Sequence, residues 1–219
     1  MAETREHRSH DERRRQLVDA SVAVMTEQGV AAVTTRAVTA RAGLPHGSFH
    51  YCFDSKADLF CAILEQELGR SIVAAFEPPA TPVDPEERIA AGLRARLDQV
   101  IARPDYFLAL AELSVLSHRD AELGRLARWE QAEYLREVTR NLDEWSRADG
   151  LEWSAPTPGV AALLIALSDG IAASWLVDRN DAAAHESIRL AAASVSSLVS
   201  TSSPSITSPT TTTTPGGAS

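Results

Sequence analysis

The chain has 219 residues, with Lys+Arg 21 against Asp+Glu 30, a net charge of -9 and 44% hydrophobic residues. That is enough apolar material for a real core, so wholesale disorder is excluded, and no apolar run reaches the roughly 18 residues of a membrane span. The charged start, Met1 to Arg15, lacks the apolar core of a secretory signal, and two cysteines, Cys52 and Cys61, exclude a disulfide framework and fit a reducing cytoplasm.

Alanine occurs 36 times, aromatics make up 5%, and no stretch alternates with period 2, so an all-α fold is expected. Residues 1–12 read as a flexible polar arm. A first helix is expected over about 13–28, opened by Arg13, Arg14 and Arg15 and closed by Gly29. Thr34 is an N-cap for a short helix to Ala42, Gly43 breaks it, and a second short helix runs from Pro45 to Tyr51. Ser55 and Asp58 form a capping-box pattern ahead of a long helix that ends near Phe76. Pro78, Pro79 and Pro82 break the chain. Further helices are expected at 84–102, 105–117, 120–148, 157–178 and 181–199. The helix at 157–178 is nearly uncharged apart from Asp169, which favours burial on several sides and a structural role for that carboxylate. Residues 200–219 hold six Ser, seven Thr, three Pro and two Gly and are expected to be disordered.

Two short helices around a Gly-centred turn have helix-turn-helix spacing. The residue types suit a DNA duplex. Thr34, Thr35 and Arg36 stand at a helix N-terminus, where free N–H groups favour phosphate. Pro45, His46, Gly47, Ser48, His50 and Tyr51 offer hydroxyls, imidazoles and close backbone approach. Lys56, the single lysine, opens a helix whose dipole disfavours a cation, which an external phosphate would explain. Helix-turn-helix packing also occurs without DNA, and the arginine cluster can be a solvated helix start. His7, His10, His46, His50 and Cys52 match no zinc spacing, so no metal or other cofactor is expected. There is no nucleophile elbow, phosphate loop or carboxylate pair, so no enzyme is expected.

The stretch from Thr34 to Phe60 resembles the TetR family of one-component transcriptional regulators. Thr34, Arg36, Val38, Ala42, Gly43, Leu44, Gly47, Phe53, Lys56 and Leu59 fall on the family's pattern, within a match over roughly residues 13–60. The family's usual Ser is Pro45 here, its first Tyr is His50, and Cys52 stands where an aromatic or His is common; Tyr51 takes the stacking and phosphate role. The resemblance implies a helix-turn-helix DNA-binding domain at 13–58 and a helical ligand-binding and dimerisation domain at 59–199. It implies a cytoplasmic homodimer, most often a repressor, that holds a palindromic DNA operator and is released by a small-molecule effector. Phe107, Glu112, Trp129 and Tyr134 lie on helices that line the family's pocket, although any one Trp more often packs a core. Leu164, Ile165, Ser168, Ala172 and Trp175 on one helix, with Ile188, Ala192 and Val195 on the next, provide stripes for a dimeric four-helix bundle; the alternative is that they finish the monomer core. A second functional reading is a helical ligand-binding or scaffold protein with a degenerate DNA-binding head.

The acidic excess is unevenly placed. Residues 1–60 hold eight Lys+Arg and eight Asp+Glu (8 − 8 = 0), whereas residues 61–219 hold 13 and 22 (13 − 22 = -9). The head is therefore neutral, and placed contacts rather than bulk attraction would bind a duplex.

Overall fold

The computed structural model describes residues 2–75, 84–117 and 121–201, with side chains placed for most of them. The Pro-rich breaker at 78–82, the helix end at Phe76 and the tail beyond Thr201 lie outside the described residues. Among the described residues the chain forms nine helices: α1 (Ala2–Gln28), α2 (Thr35–Ala42), α3 (Ser48–Cys52), α4 (Lys56–Ala75), α5 (Pro85–Ala102), α6 (Pro104–Ser117), α7 (Ala121–Asp149), α8 (Thr157–Asp178) and α9 (Asp181–Ser196). The expected all-α class holds.

Local chemistry explains the helix ends. Gly29 adopts φ +83° after α1, and its N–H donates to the Met25 carbonyl. Asp84 caps α5 by accepting from the N–H groups of Glu86 and Glu87, with Pro85 in the first turn. Asn180 caps α9 by accepting from Ala183 N–H.

Three expectations need correction. First, α1 begins at Ala2, not near 13, so the backbone expected to be a flexible arm is helical. Residues 2–12 contain neither Pro nor Gly, and nothing in them stops a helix once α1 has nucleated. Second, α9 ends at Ser196, and Val199–Thr201 pairs antiparallel with Leu151–Trp153 as strands β2 and β1. Ser200 and Thr201 are thus part of a hydrogen-bonded ladder, in a stretch expected to be disordered. Third, α8 reaches the length and hydropathy of a membrane span, with a mean hydropathy of 2.0 over its best window. It packs on α5, α7 and α9.

The core has two parts. The head core joins Leu17, Val24 and Met25 of α1, Val38 of α2, Phe49 of α3 and Leu59, Phe60 and Ile63 of α4. It also takes in Ala109 and Leu113 of α6, so a boundary at 58 divides one core. The body core joins Leu97, Val100, Phe107, Val138, Leu142, Trp145, Val160, Ile165, Trp175, Ile188 and Val195. Trp145 and Trp175 satisfy their ring N–H groups locally, on Asp149 and Asp181, each at 2.7 Å.

A bidentate ion pair, Arg41 to Glu27 at 2.8 and 2.5 Å, fastens α2 to α1. The hydrogen bond from Arg41 holds the Glu27 carboxyl below the usual glutamate range. A depressed carboxylate stabilises the fold above its unfolded-state value, and the effect is lost as pH falls through the folded value. The stability gap between wild type and Glu27→Gln should therefore be open at neutral pH and narrow as pH falls into and below the usual glutamate range, read as thermal midpoints across a pH series.

Candidate nucleic-acid interface

The head carries its candidate contacts on α2, α3 and the first turn of α4. Thr34 is the N-cap of α2, its Oγ1 accepting from Ala37 N–H at 3.1 Å, as the sequence indicated. Thr35 and Arg36 form the first turn, with Arg36 exposed. Gly43 holds φ +67°, and Leu44 N–H donates to the Thr39 carbonyl at 3.0 Å, which sets the angle into the next segment. Pro45, His46 and Gly47 form an exposed turn; helix α3 proper starts only at Ser48 and is shorter than expected. Phe49 and Cys52 point inward, leaving His50 and Tyr51 outside. The rings of His46 and His50 meet edge-on at 6.3 Å.

Tyr51 is 53% exposed and is braced from α1. The His10 ring meets it edge-on at 5.3 Å, and the Arg13 guanidinium lies 5.7 Å from its centroid. His10 was read only as a metal candidate in the sequence. Its place beside Tyr51 follows from α1 continuing past residue 13. Among the described residues no group of three metal-ligating side chains gathers; the His7 side chain lies outside them.

The three arginines divide by role. Arg14 turns inward, donating to the Cys52 carbonyl at 2.8 Å and to Asp58 Oδ1 at 3.4 Å, with its guanidinium 4.3 Å from the Phe53 centroid. Arg15 donates to the Asp11 carbonyl, and both flank a cleft of about 400 Å³ between α1 and α4. Arg13 alone lies against Tyr51. Lys56 is exposed at the start of α4, its Nζ 5.1 Å from the Phe60 centroid. Neighbouring protein displaces enough water to pull the ammonium below the usual lysine value, a cost that an incoming phosphate would offset. The cap is formed with one change from the capping box: Asp58 N–H donates to Ser55 Oγ at 3.1 Å, but Asp58 Oδ2 accepts from Asp54 N–H, one residue ahead of the cap, at 3.2 Å. Burial pushes the Cys52 thiol up, against the pull of Arg13 and Arg14, so it is an inert packed group.

This arrangement is a capped helix, a glycine turn and a short helix with an exposed polar face, braced on α1. The N-terminal segment that builds it, residues 17–63, matches the family described as bacterial regulatory proteins, tetR family. Residues 17–63 are thus similar to the TetR-family DNA-binding head. A nicotine-responsive transcriptional repressor of Paenarthrobacter nicotinovorans is 27% identical over 177 residues, covering 78% of this chain and 87% of that protein. The transcriptional regulator BetI of Rhizobium meliloti is 34% identical over 52% of this chain and 56% of its own length. A transcriptional regulator from Rhodococcus shares the fold, with a TM-score of 0.69 at 19% identity over 85% of this chain and 97% of that one. The fatty acid degradation regulator FadR of Bacillus halodurans does likewise, with a TM-score of 0.65 at 17% identity over 83% and 93%. The matched family and the relatives named are regulators of transcription.

The body places the residues singled out in the sequence differently from the expectation. The four ligand candidates are not brought together. Phe107 is in the body core beneath the Arg96 guanidinium, 4.6 Å from its centroid. Glu112 turns to the head and accepts from Val30 N–H at 3.1 Å. Trp129 is 43% exposed, and Tyr134 is half-buried against the body core. Helices α6 and α7 carry these residues on different faces, which spacing from a family outline does not resolve.

The dimer stripes need the same correction. Ile165, Trp175, Ile188, Ala192 and Val195 are buried inside this chain's own core, and Leu164, Ser168 and Ala172 are half-buried at its edge. The monomer core, the alternative weighed from sequence, takes the five buried residues and leaves Leu164, Ser168 and Ala172 at its edge. The faces left outside are others: Leu163, Ala166, Gly170, Ala173 and Val177 on α8, and Ala183, Ser187, Leu190 and Ser194 on α9. Both runs advance by alternating three and four residues, the spacing of a helix-packing seam. Asp169 lies among the exposed residues of α8 at its surface, yet protein packed around it displaces enough water to push its carboxyl up, and the charge of Arg96 pulls it back.

Proposed function

We propose that this chain is a TetR-family repressor that binds a palindromic operator as a homodimer and is released by a small-molecule effector. The carrying observation is the outward face of the head. Thr34, Thr35, Arg36, Pro45, His46, Gly47, Ser48, His50, Tyr51 and Lys56 surround a short helix whose inner side is locked by Phe49. In this reading α3 enters the major groove, with Tyr51 and His50 toward base edges and Lys56, Arg36 and the α2 N-terminus on phosphates. The head spans residues 13–58 together with the first turns of α4, and the remainder to 199 forms the effector and dimer body. The exposed seams of α8 and α9 supply the two-fold contact. The name of the nicotine-responsive relative supports a repressor gated by a small organic ligand; the effector of this chain is a separate matter that its own pocket decides.

The test is fluorescence anisotropy with the intergenic duplex beside the gene and with a scrambled duplex, at two salt concentrations. Binding should prefer the intergenic site and weaken linearly with log salt. Lys56→Ala should weaken both duplexes alike and reduce the salt slope by about 1. Tyr51→Ala should cost about 1–3 kcal/mol on the preferred duplex and much less on the scrambled one. A degenerate head would instead show no preference at either salt.

A further inference from the structure

The turn that feeds the helix-turn-helix is held from the body. After α1 the chain makes a single 3-10 turn, Val30–Ala32, before Val33 and the α2 cap Thr34. Its N-cap is Gly29, which has no side chain to offer, at φ +83° and ψ 164°. The missing acceptor comes from 82 residues away: Glu112 Oε2 on α6 takes the Val30 N–H at 3.1 Å. The same carboxylate borders Gly29, where a Cβ would stand 3.5 Å from Oε2. That distance is ordinary contact, so the positive φ is what requires glycine there. One turn of α6 places Ala109 and Leu113 in the head core, which fixes Glu112 in register over the turn. Val30 and Val33 are both buried, so the turn has little freedom once its first N–H is held.

We propose that Glu112 is a positioning residue for DNA recognition: its carboxylate caps the 3-10 turn and so fixes the orientation of α2 and α3 relative to the body. This rests on the DNA-binding reading of the head. The carboxylate touches no DNA. It acts by removing one freedom at the entry to the reading unit, so its loss should lower discrimination more than general affinity.

The test uses the full chain. A duplex is selected by the wild-type protein from a random pool, and anisotropy gives the ratio of affinities for that duplex and a scrambled one. Glu112→Ala should lower the ratio on the order of tenfold, the equivalent of about 1.4 kcal/mol for one charge-assisted hydrogen bond. The salt slope should not change, and hydrogen exchange at the Val30 amide should accelerate. Glu112→Gln, whose amide oxygen still accepts, should restore most of the ratio and the slow exchange. Glu112→Asp keeps the charge but falls short of the amide and should behave like Glu112→Ala, which guards against a folding defect in one variant. An unchanged ratio in Glu112→Ala despite faster Val30 exchange overturns the inference. So does a ratio lost equally in Glu112→Gln. If the wild-type protein selects no duplex at all, the DNA-binding reading of the head falls, and this inference with it.

Discussion

Replacing Leu163 and Leu190 together by Glu should give a monomer in multi-angle light scattering and cut operator affinity at least a hundredfold. Both leucines are large apolar groups left in solvent by a chain that buries most of its others, at 40% and 52% exposure, and Val177 beside the same seam is 87% exposed. Among the described residues three of the eight exposed large apolar side chains lie on these two adjacent helices, with Leu108, Val115 and Leu116 of α6 as a separate group, and such a grouping marks a contact surface. The seam of α8 is otherwise Ala and Gly, which lets a second helix approach closely, and its spacing of three and four suits packing near 20°. A buried pair of carboxylates would meet the partner's pair across the two-fold axis, where repulsion and desolvation add. The loss of DNA affinity follows from geometry. In the proposed homodimer two heads would bind two half-sites about 34 Å apart, and the second contact would gain an effective concentration that monomers lack, worth roughly 10²–10⁴ in affinity. Ile165→Glu is the contrasting control. Ile165 is 5% exposed in the body core, so this change should unfold the body instead of dissociating an intact dimer. A Leu163→Glu, Leu190→Glu protein that remains dimeric would count against this interface.

The same helix shows where a sequence stops being legible. The caps at Thr34, Gly43 and Ser55–Asp58 are local: each involves residues within a few positions, and each was readable from residue type and spacing. The face of α8 was not. It is apolar nearly all round, so no periodicity distinguishes the side that packs on α5, α7 and α9 from the side left bare. The stripe expected from sequence takes in Ile165 and Trp175, which the body core claims, while the bare side carries Leu163 and Val177. Glu112 is a second case. A polar residue on α6 facing a family pocket was a reasonable expectation, but its partner is the backbone of Val30, and no sequence pattern encodes a cap drawn from so far along the chain. The β1–β2 pair is a third, because each strand is three residues long and exists only through the other. What these cases share is a nonlocal partner. The candidate contacts between Thr34 and Lys56 rest on residue type and local spacing, whereas the brace from His10 and Arg13 was not legible, because it depends on how far α1 extends.

The neutral charge of the head sharpens the second large effect, at Arg14. Arg14→Ala should destabilise the head by about 2–3 kcal/mol, while the salt slope of DNA binding stays as in wild type. Arg14 is one of three consecutive arginines on α1, and by sequence any of them could meet phosphate. The structure commits it inward. Its Nη1 donates at 2.8 Å to the carbonyl of Cys52, the last residue of α3, an acceptor at the helix end that has no partner within the helix. Its Nη2 reaches Asp58, the capping carboxylate of α4, and its plane covers the Phe53 ring. One side chain thereby joins α1, α3 and α4 behind the reading face. Removing it strips a charge-assisted donor from a partly buried carbonyl, worth about 1.5–3 kcal/mol, and a cation–π contact worth about 0.5–1. Part is recovered by water, because Arg14 is a third exposed. Arg14→Lys should recover little, since a lysine can reach one acceptor but lacks the planar fork that spans both and stacks on the ring. Urea unfolding should show a lower midpoint at unchanged m for both variants. At a salt concentration and temperature where the variant head is folded, its log-affinity against log-salt line should run parallel to wild type, unlike that of Lys56→Ala. A reduced slope with undiminished stability would place Arg14 on the DNA and reverse the division of labour among the three arginines.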